Sequence, residues 1–282
     1  MASSVLTKAV CRAMQRIAPP VLAGSWDNTG LILESASKNA HTAANRVLIT
    51  IDITSAVCDE AISRGVSMIV SYHTPIFSGV KSLTLATTLQ ATLLRCAASG
   101  ISVYSPHSAL DGVFGGINDW LAQCIGAEPP MVTCLDTDPA TQALGGDGRR
   151  VTFDPPISME VLEGRIKQNL SLSQIQVGYS PVRPDRLVSM VAICAGSGAS
   201  MFSGLGTKAD VYFTGEMQHH EVLAAVAAGT HVILCGHTNT ERGYLPTLAT
   251  KLRSELEATP DSELDGFEVI ISEEDKHPLE FV

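Results

Sequence analysis

The sequence lacks the spacings and runs that identify several common protein classes. Its seven cysteines are scattered without a C-x-x-C pair, which argues against a zinc ribbon or disulfide framework and favours reduced thiols in an intracellular protein. No apolar stretch approaches the roughly 18 to 20 residues that span a bilayer. Neither G-x-G-x-x-G nor a P-loop is present, which disfavours a Gly-rich nucleotide-binding domain. We therefore expect a cytoplasmic protein without a membrane partner.

Positive charge is also scarce. The chain carries 19 Lys and Arg against 29 Asp and Glu, a net charge of -10. Binding of duplex nucleic acid needs clustered cations that neutralise phosphates, so we do not expect that partner. Residues 1–24 contain basic residues and no acid, like a cleaved presequence. Their apolar spacing also fits an ordinary first helix stopped by Pro19-Pro20, which we favour; mitochondrial and nuclear locations stay open.

What the chain does contain is a globular composition, with 282 residues of which 45% are hydrophobic. This fits two domains or one large α/β domain. Apolar runs of strand length alternate with helical segments, which predicts wound, largely parallel sheets. The turn-rich stretch before about Arg186 breaks this pattern, with one amphipathic helix and a strand near IQVGYS. We therefore expect a first α/β domain over 1–126, a connecting segment or small subdomain over 127–186, and a second α/β domain over 187–282.

Two stretches of the chain repeat the same order of features. The repeated positions are Asp52, Gly65 and His73 in the first copy and Glu216, Gly229 and His237 in the second, offset by 164 residues. A helical segment and an apolar strand lie between acid and His in each copy. A Gly after a helix is common in any βαβ unit, but a repeated His-Thr pair is not. The repeat predicts a duplicated α/β unit in which each half delivers one imidazole to a shared site.

Imidazoles and carboxylates follow the predicted strands at their carboxyl ends, where ligands collect in wound α/β sheets. They are Asp52, His73, His107, Asp111, Glu216, His237 and Glu241. Such groups bind zinc, iron and manganese, and an ion held by them would lower the pKa of a bound water, a usual route to hydrolysis. Polar residues also occur at strand ends because strand ends meet water. For the repeated His pair joined by Asp111 and Glu241 we favour the metal site.

Weaker signals surround these positions. The i to i+4 spacing from His237 to Glu241 predicts that both lie on one side of an opening helical turn. AGSGAS, after an apolar run, fits either a backbone anion nest or the start of a helix. MQHHE puts His219 and His220 on a first helical turn, with one of them facing the site. SWDNTG predicts a structural turn at Asp27.

Several motifs occur together in the order found in one known family. They are SWDNTGLIL, SYHTPIF, SPHSALD, GGINDWLA, CAGSG, TGEMQHHEVLAA and GHTNTERGYL. With them the chain resembles the Nif-three-like (Ngg-one-interacting-factor-three-like) family, whose bacterial members often carry the label GTP cyclohydrolase I type 2 homologue. The resemblance runs from about residue 5 to the C-terminus. It implies two interlinked, similarly wound α/β domains, a ring-shaped homohexamer and a dinuclear metal site between the domains.

The resemblance also implies a set of metal ligands. The residues that match the family's ligands are His73, Asp111, His237 and Glu241. They would hold one or two divalent ions per subunit, of zinc, iron or manganese. Tyr72 departs from the pattern, because bacterial relatives have a second His there. This leaves open how the second metal position is filled, with Tyr72 as a weak ligand, a neighbour of the ligands or a packing residue.

Two functions follow from the resemblance. In the first, the chain is a metal-dependent, hydrolase-like protein acting on a small molecule, and Glu216, His220 or Tyr72 handles protons or the polar atoms of the substrate. In the second, it is a metal-stabilised interaction protein without turnover, with a transcription coregulator as its partner. The residues do not identify the substrate of the first function.

Overall fold

The computed structural model describes residues 4–36, 45–128, 131–205, 208–258 and 266–279. Its helices are α1 (Val5–Ile17), α2 (Ser55–Ser63), α3 (Thr88–Ala98), α4 (His107–Gly112), α5 (Ile117–Cys124), α6 (Met159–Asn169), α7 (Ala199–Phe202), α8 (His219–Ala227) and α9 (Leu245–Glu257). Its strands are β1 (Gly30–Leu33), β2 (Arg46–Thr50), β3 (Met68–Ser71), β4 (Ser102–Ser105), β5 (Val132–Thr133), β6 (Arg149–Ser158), β7 (Gln176–Gly178), β8 (Leu187–Ser197), β9 (Val211–Glu216), β10 (His231–Leu234) and β11 (Glu268–Ile271). Short 3-10 helices lie at Pro20–Leu22, His237–Thr240 and Arg242–Tyr244.

The first of two compact units combines the described residues up to Leu110 with those from Leu245 onward. Its sheet has the strand order β1-β4-β3-β2-β11, in which β4, β3, β2 and β11 are parallel and β1 is antiparallel. The side chains of Leu48, Ile69 and Val103 pack with α2 and α3 in one buried cluster. Helices α1 and α9 pack together, and α9 also contacts β11 and β2. Central strands covered in this way explain the unbroken apolar runs.

The second unit covers Asp111–Tyr244. Its sheet has the strand order β5-β6-β8-β9-β10-β7, with β8, β9 and β10 parallel and the remaining pairs antiparallel. Phe202 and Tyr212 pack in one buried cluster that includes side chains of α8. Helix α5 contacts β6 and β8, and α6 contacts β6. The mixed α/β class with two sheets is confirmed, but only the first sheet is largely parallel.

The units do not coincide with the division at residues 126 and 186. The segment expected to connect two domains supplies β5, β6, β7 and α6 to the second unit, and the last strand, β11, pairs with β2 of the first. A strand pattern shows that a segment can pair, but it does not show which sheet it joins. The predicted boundaries therefore differ from the observed units, although the amphipathic helix predicted within 127–186 is present as α6.

The C-terminal helix begins later than the pattern suggests. His237–Thr240 is a 3-10 turn, and α9 starts at Leu245 with Pro246 as its second residue. A proline inside a helix removes one hydrogen bond and clashes with the carbonyl group four residues earlier, so the helix cannot extend back over Arg242. Within the described residues, no helix has the length and apolar character needed to cross a membrane.

The two copies of the repeat form equivalent β-α-β segments. In the first unit Thr50 lies opposite Ser71, and His73 follows two residues later. In the second unit Thr214 lies opposite Leu234, and His237 follows three residues later. The pairing therefore differs by one residue between the copies. The acid differs as well, being Asp in the first copy and the longer Glu in the second.

Candidate metal site

His73 in the first unit is oriented by a carboxylate. It follows β3, and its backbone N–H donates to the carbonyl group of Ile51 on the neighbouring chain segment. Its Nδ1 lies 2.9 Å from Oδ1 of Asp52, which follows β2. Because a carboxylate accepts, Nδ1 donates in this contact, which leaves Nε2 as the ring nitrogen that can bind a metal ion. This is the arrangement in which a histidine binds a metal ion through Nε2.

Tyr72 packs behind this imidazole. The residue is 2% exposed, and its ring centroid lies 4.9 Å from that of His73 and 5.7 Å from that of His107. A side chain buried to this degree orients neighbouring rings and is poorly placed to meet a substrate from solvent. Of the roles considered for Tyr72, the geometry favours packing beside a ligand.

His237 in the second unit repeats the carboxylate contact of His73. Its Nδ1 lies 2.9 Å from Oε1 of Glu216, the same distance as in the first unit. The additional methylene of Glu, compared with Asp, compensates for the one-residue difference in strand pairing. On its other side, His237 Nε2 lies 3.2 Å from Oε1 of Glu241, which is 1% exposed. His237 and Glu241 thus form a candidate metal site of mixed imidazole and carboxylate type.

The electrostatics of this pair favour a positive charge between the two side chains. The hydrogen bond with Glu241 raises the pKa of His237 to about 9, against the opposing effect of burial and with further help from the charges of Glu241 and Glu216. At neutral pH a proton therefore lies between Nε2 and the Glu241 carboxylate. A metal ion that takes the same two ligands must displace this proton.

Gly196 leaves the space that these ligands need. It lies near the end of β8 with φ of 63°, and a Cβ placed there would lie 2.6 Å from Glu241 Oε1 and 2.9 Å from His237 Nε2. Real Cβ contacts are never this short, so any other residue would push the ligand atoms away. The close approach of backbone to two ligand atoms, together with their chemistry, fits a small cation.

Asp111 is tied to this region by a line of buried hydrogen bonds. The Asn118 side chain donates from Nδ2 to the carbonyl group of Asp111 at 3.2 Å and accepts at Oδ1 from the N–H of Ala195 at 2.8 Å. The next residue, Gly196, donates its N–H to Thr240 Oγ1. Thr240 in turn donates to the carbonyl group of His237 at 2.7 Å. These hydrogen bonds fix the relative positions of the four chain segments that contain Asp111, Asn118, Gly196 and His237.

The electrostatic environment of Cys194 also connects Asp111 with Glu241. Burial raises the pKa of the Cys194 thiol, and the charges of Asp111, Asp147 and Glu241 raise it further. Asp111 and Glu241 therefore both act on one thiol group on β8. Of the four ligands predicted by resemblance, His237 and Glu241 face each other in the second unit. The backbone of Asp111 is linked to β8 through Asn118, and His73 lies in the first unit.

Arg149 holds the chain that follows Asp111. It is fully buried and forms a bidentate pair with Asp119, with distances of 2.9 and 2.7 Å. Its remaining donors bond carbonyl groups of the turns around it, those of Gly112, Val113, Gly146 and Gly148. A guanidinium with this many partners is fixed, so the turn after α4 is fixed as well.

The remaining predicted residues lie around this core. Glu216 is exposed, and its carboxylate is engaged with His237, which favours an orienting role over proton transfer. His219 and His220 are both exposed on the first turn of α8 and contact each other edge to face at 5.4 Å. AGSGAS starts the short helix α7, as one of its two interpretations predicted.

Asn118, Arg149 and Gly196 were not identified from the sequence. Asn118 and Asp119 are adjacent polar residues in an otherwise apolar amphipathic helix, and this is the signal that could have found them. Arg149 gives no such signal, because β6 begins with two arginines and arginines are usually exposed. Gly196 lies in the CAGSG motif, but the contact that requires it depends on the side chains of His237 and Glu241.

The chain is similar in sequence to known proteins over most of its length. The family description Duf34/NIF3 (NGG1p interacting factor 3) matches residues 5–278. The chain is 42% identical to Protein NIF3 homolog of Schizosaccharomyces pombe, covering 99% of each chain. It is 38% identical to NGG1-interacting factor 3 of Saccharomyces cerevisiae, covering 90% of this chain and 89% of that one.

The fold is also found among solved structures. A Bacillus cereus protein related to NIF3 superposes with a TM-score of 0.81 at 19% identity, covering 98% of this chain and 99% of that chain. At this identity the likeness shows the fold alone. The family match and the sequence relatives extend over nearly the whole chain. The chain therefore belongs to the Duf34/NIF3 (NGG1p interacting factor 3) family.

Proposed function

We propose that this protein binds one or two divalent ions and acts as a metal-dependent hydrolase on a small molecule. His237, Glu241 and Asp111 would be ligands from the second unit, and His73 a ligand from the first. The ligands are imidazoles and carboxylates, which suit zinc, iron and manganese. A bound ion of this kind supplies Lewis acidity toward a carbonyl or phosphoryl oxygen.

One observation carries the proposal, namely that the carboxylate-imidazole pair occurs in both units. Asp52 bonds Nδ1 of His73 and Glu216 bonds Nδ1 of His237, each at 2.9 Å. A histidine that only filled space at a strand end would not need a carboxylate on the same nitrogen in two separate segments. Such outer carboxylates fix the tautomer of a metal ligand and raise its basicity.

The chain's own residues would set the geometry of the reaction. Asp52 and Glu216 hold the two imidazoles with Nε2 unprotonated once the ion is bound. Glu241, which is buried, faces Nε2 of His237 at 3.2 Å. Asn118 holds the backbone of Asp111 relative to β8. None of these roles requires a side chain to move before a substrate arrives.

Metal content tests the first step. Wild-type protein purified without chelators and analysed by inductively coupled plasma mass spectrometry should contain up to two ions per chain. His237→Ala and His73→Ala should each lower this content, whereas His277→Ala, whose half-buried imidazole bonds the backbone of Leu279, should not. Equal metal content in wild type and in both ligand variants would refute the proposal.

Turnover is tested separately. Assays over nucleotides, cyclic amides and phosphoesters with added manganese, zinc or iron should reveal a hydrolysed class. Asp111→Ala should abolish that activity while the oligomer persists in sedimentation. The second candidate function, a metal-stabilised interaction protein, is favoured by the name of the yeast relative, NGG1-interacting factor 3. No turnover in any class, with a transcription coregulator recovered by pull-down, would support it instead.

We also propose that the chain forms a homohexamer in the cytoplasm, as the resemblance to the family implies. Light scattering during size-exclusion chromatography should give about six times the 29.8 kDa chain mass. A monomer or dimer at micromolar concentration would contradict the hexamer. Imaging of the tagged full-length protein tests the cytoplasmic location against the mitochondrial and nuclear alternatives.

A further inference from the structure

Two aromatic side chains of the first unit form a surface that packing does not explain. Trp26 is 61% exposed and Phe77 is 55% exposed, and their rings stack with centroids 5.8 Å apart at an interplanar angle of 30°. We call this pair the aromatic shelf. Burial of a large aromatic side chain stabilises a fold, but both of these rings keep more than half of their surface in solvent.

The aromatic shelf is nevertheless held in place. Asp27, next to Trp26, has a fully buried side chain that accepts from His107 Nδ1 at 2.7 Å and from the N–H of Ser108 at 3.0 Å. Asn28 donates from Nδ2 to the carbonyl group of Ile76 at 2.5 Å. This last bond joins the loop that carries Trp26 to the loop that carries Phe77.

The contact with Gly24 fixes the position of the Trp26 indole. A Cβ at Gly24 would lie 2.6 Å from Trp26 Nε1 and 2.7 Å from Cε2, so the ring lies directly against the glycine backbone. The N–H of Gly24 donates to Ser108 Oγ at 3.0 Å, which fixes the backbone beneath the ring. Ordering an exposed side chain costs conformational entropy, and the small buried area of Trp26 does not offset this cost.

The aromatic shelf adjoins the histidines of the candidate site through His107. The His107 ring lies edge-on to Trp26 at 6.0 Å and to Phe77 at 6.2 Å. The same ring lies 5.7 Å from His73. The His107 imidazole therefore lies between the aromatic shelf and His73, a proposed metal ligand. A small molecule bound on the aromatic shelf would be separated from His73 by this one ring.

We propose that the aromatic shelf binds a planar heteroaromatic ring of the ligand by stacking. An electron-rich indole face favours an electron-poor ring, and aromatic side chains in preorganised positions bind bases by their faces. The assignment rests on the proposed function in one respect, that His73 marks the reactive end of the ligand. In this arrangement the heteroaromatic ring of the small molecule stacks on the first unit, and the group that reacts points toward His73.

Binding of nucleosides tests the aromatic shelf without requiring turnover. The probes are adenosine, guanosine and uridine, with ribose as the non-aromatic control, measured by saturation-transfer difference NMR and calorimetry on the full chain. The variants are Trp26→Ala, Trp26→Phe and Phe77→Ala. Leu85→Ala, at a residue that is 77% exposed, is the matched surface control. Each protein is measured with metal added and after chelation.

We expect the nucleosides to bind and ribose not to bind. Trp26→Ala should weaken nucleoside binding by about 5- to 150-fold, the range for loss of one stacked base, and Trp26→Phe should lose less. Unchanged binding in Trp26→Ala, equal binding of ribose, or no binding of any nucleoside at millimolar concentration overturns the proposal. So does a change of oligomer size in Trp26→Ala with no effect on nucleosides, which would make the aromatic shelf a contact between chains. If chelated protein still binds nucleosides and Trp26→Ala weakens that binding, the proposal for the aromatic shelf is supported even if the proposed metal site is refuted.

Discussion

Replacing Asp27 by Asn should destabilise the first unit by an amount that the structure allows us to work out. Burial opposes ionisation of Asp27, but hydrogen bonds from His107 and Ser108 outweigh it and lower the pKa from 3.8 to about 2. A difference of this size corresponds to about 2 kcal/mol of native-state stabilisation, at 1.36 kcal/mol for each tenfold change in acidity. The variant removes the charge that these bonds favour.

The effect must depend on pH in one direction. Because the pKa is lower in the folded state, the stabilisation is fully present above about pH 4 and is lost as the pH falls toward 2. At pH 7, Asp27→Asn should lower the melting temperature by about 4 to 8 °C for a unit of this size. Between pH 4 and pH 2 the difference between variant and wild type should shrink.

Differential scanning calorimetry across this pH range is the assay. Asp59→Asn is the matched control, since Asp59 forms an exposed ion pair with Arg95 and such pairs contribute about 0 to 1 kcal/mol. The reasoning fails if Asp27→Asn melts within about 1 °C of wild type at pH 7. It also fails if the loss is equally large at pH 2.

Three further predictions concern the second unit. Gly196→Ala should reduce bound metal at least about tenfold at fixed free metal, because a Cβ would displace both ligand atoms and αL backbone disfavours alanine; full metal occupancy would contradict this. Asn118→Asp should weaken metal binding by about 10- to 100-fold in chelator competition, with little change in the melting temperature of the metal-free protein. Asn169→Asp, whose amide also bonds carbonyl groups, should bind normally, and equal losses in both variants would contradict a positioning role for Asn118. Arg149→Met leaves Asp119 without its partner and should lower the free energy of unfolding by about 3 to 5 kcal/mol, with a urea-measured loss below 1 kcal/mol as the refuting result.

The sequence predicted the β-α-β segments well because their signals are local. The runs at β2, β3, β9 and β10 are apolar and short, and a histidine follows β3 and β10 at matching spacing. The same repeat identifies Asp52 and Glu216 as matching acids, but their hydrogen bonds to His73 and His237 were not predicted. What could not be predicted is the sheet that each strand joins, since β11 has the same strand pattern as its partners but pairs far along the chain with β2.

Contacts that depend on several distant residues were also beyond the sequence. Asn118 contacts a strand residue, Ala195, that lies 77 positions away, and no local pattern encodes that distance. The turn at His237 differed from a helix because Pro246 delays the start of α9. The sequence predicted the turn around Asp27. It did not predict the hydrogen bond between Asp27 and His107, because the two residues are 80 positions apart.

The return of the chain to its first unit has a consequence for biosynthesis. Strand β11 pairs with β2, and α9 packs against α1, so the first unit needs residues that are made after the second unit. The second unit lies in one uninterrupted stretch, Asp111–Tyr244. On the ribosome the second unit can therefore finish folding while the earlier part of the first unit still awaits β11. Premature termination between α9 and β11 would leave the first sheet without this strand.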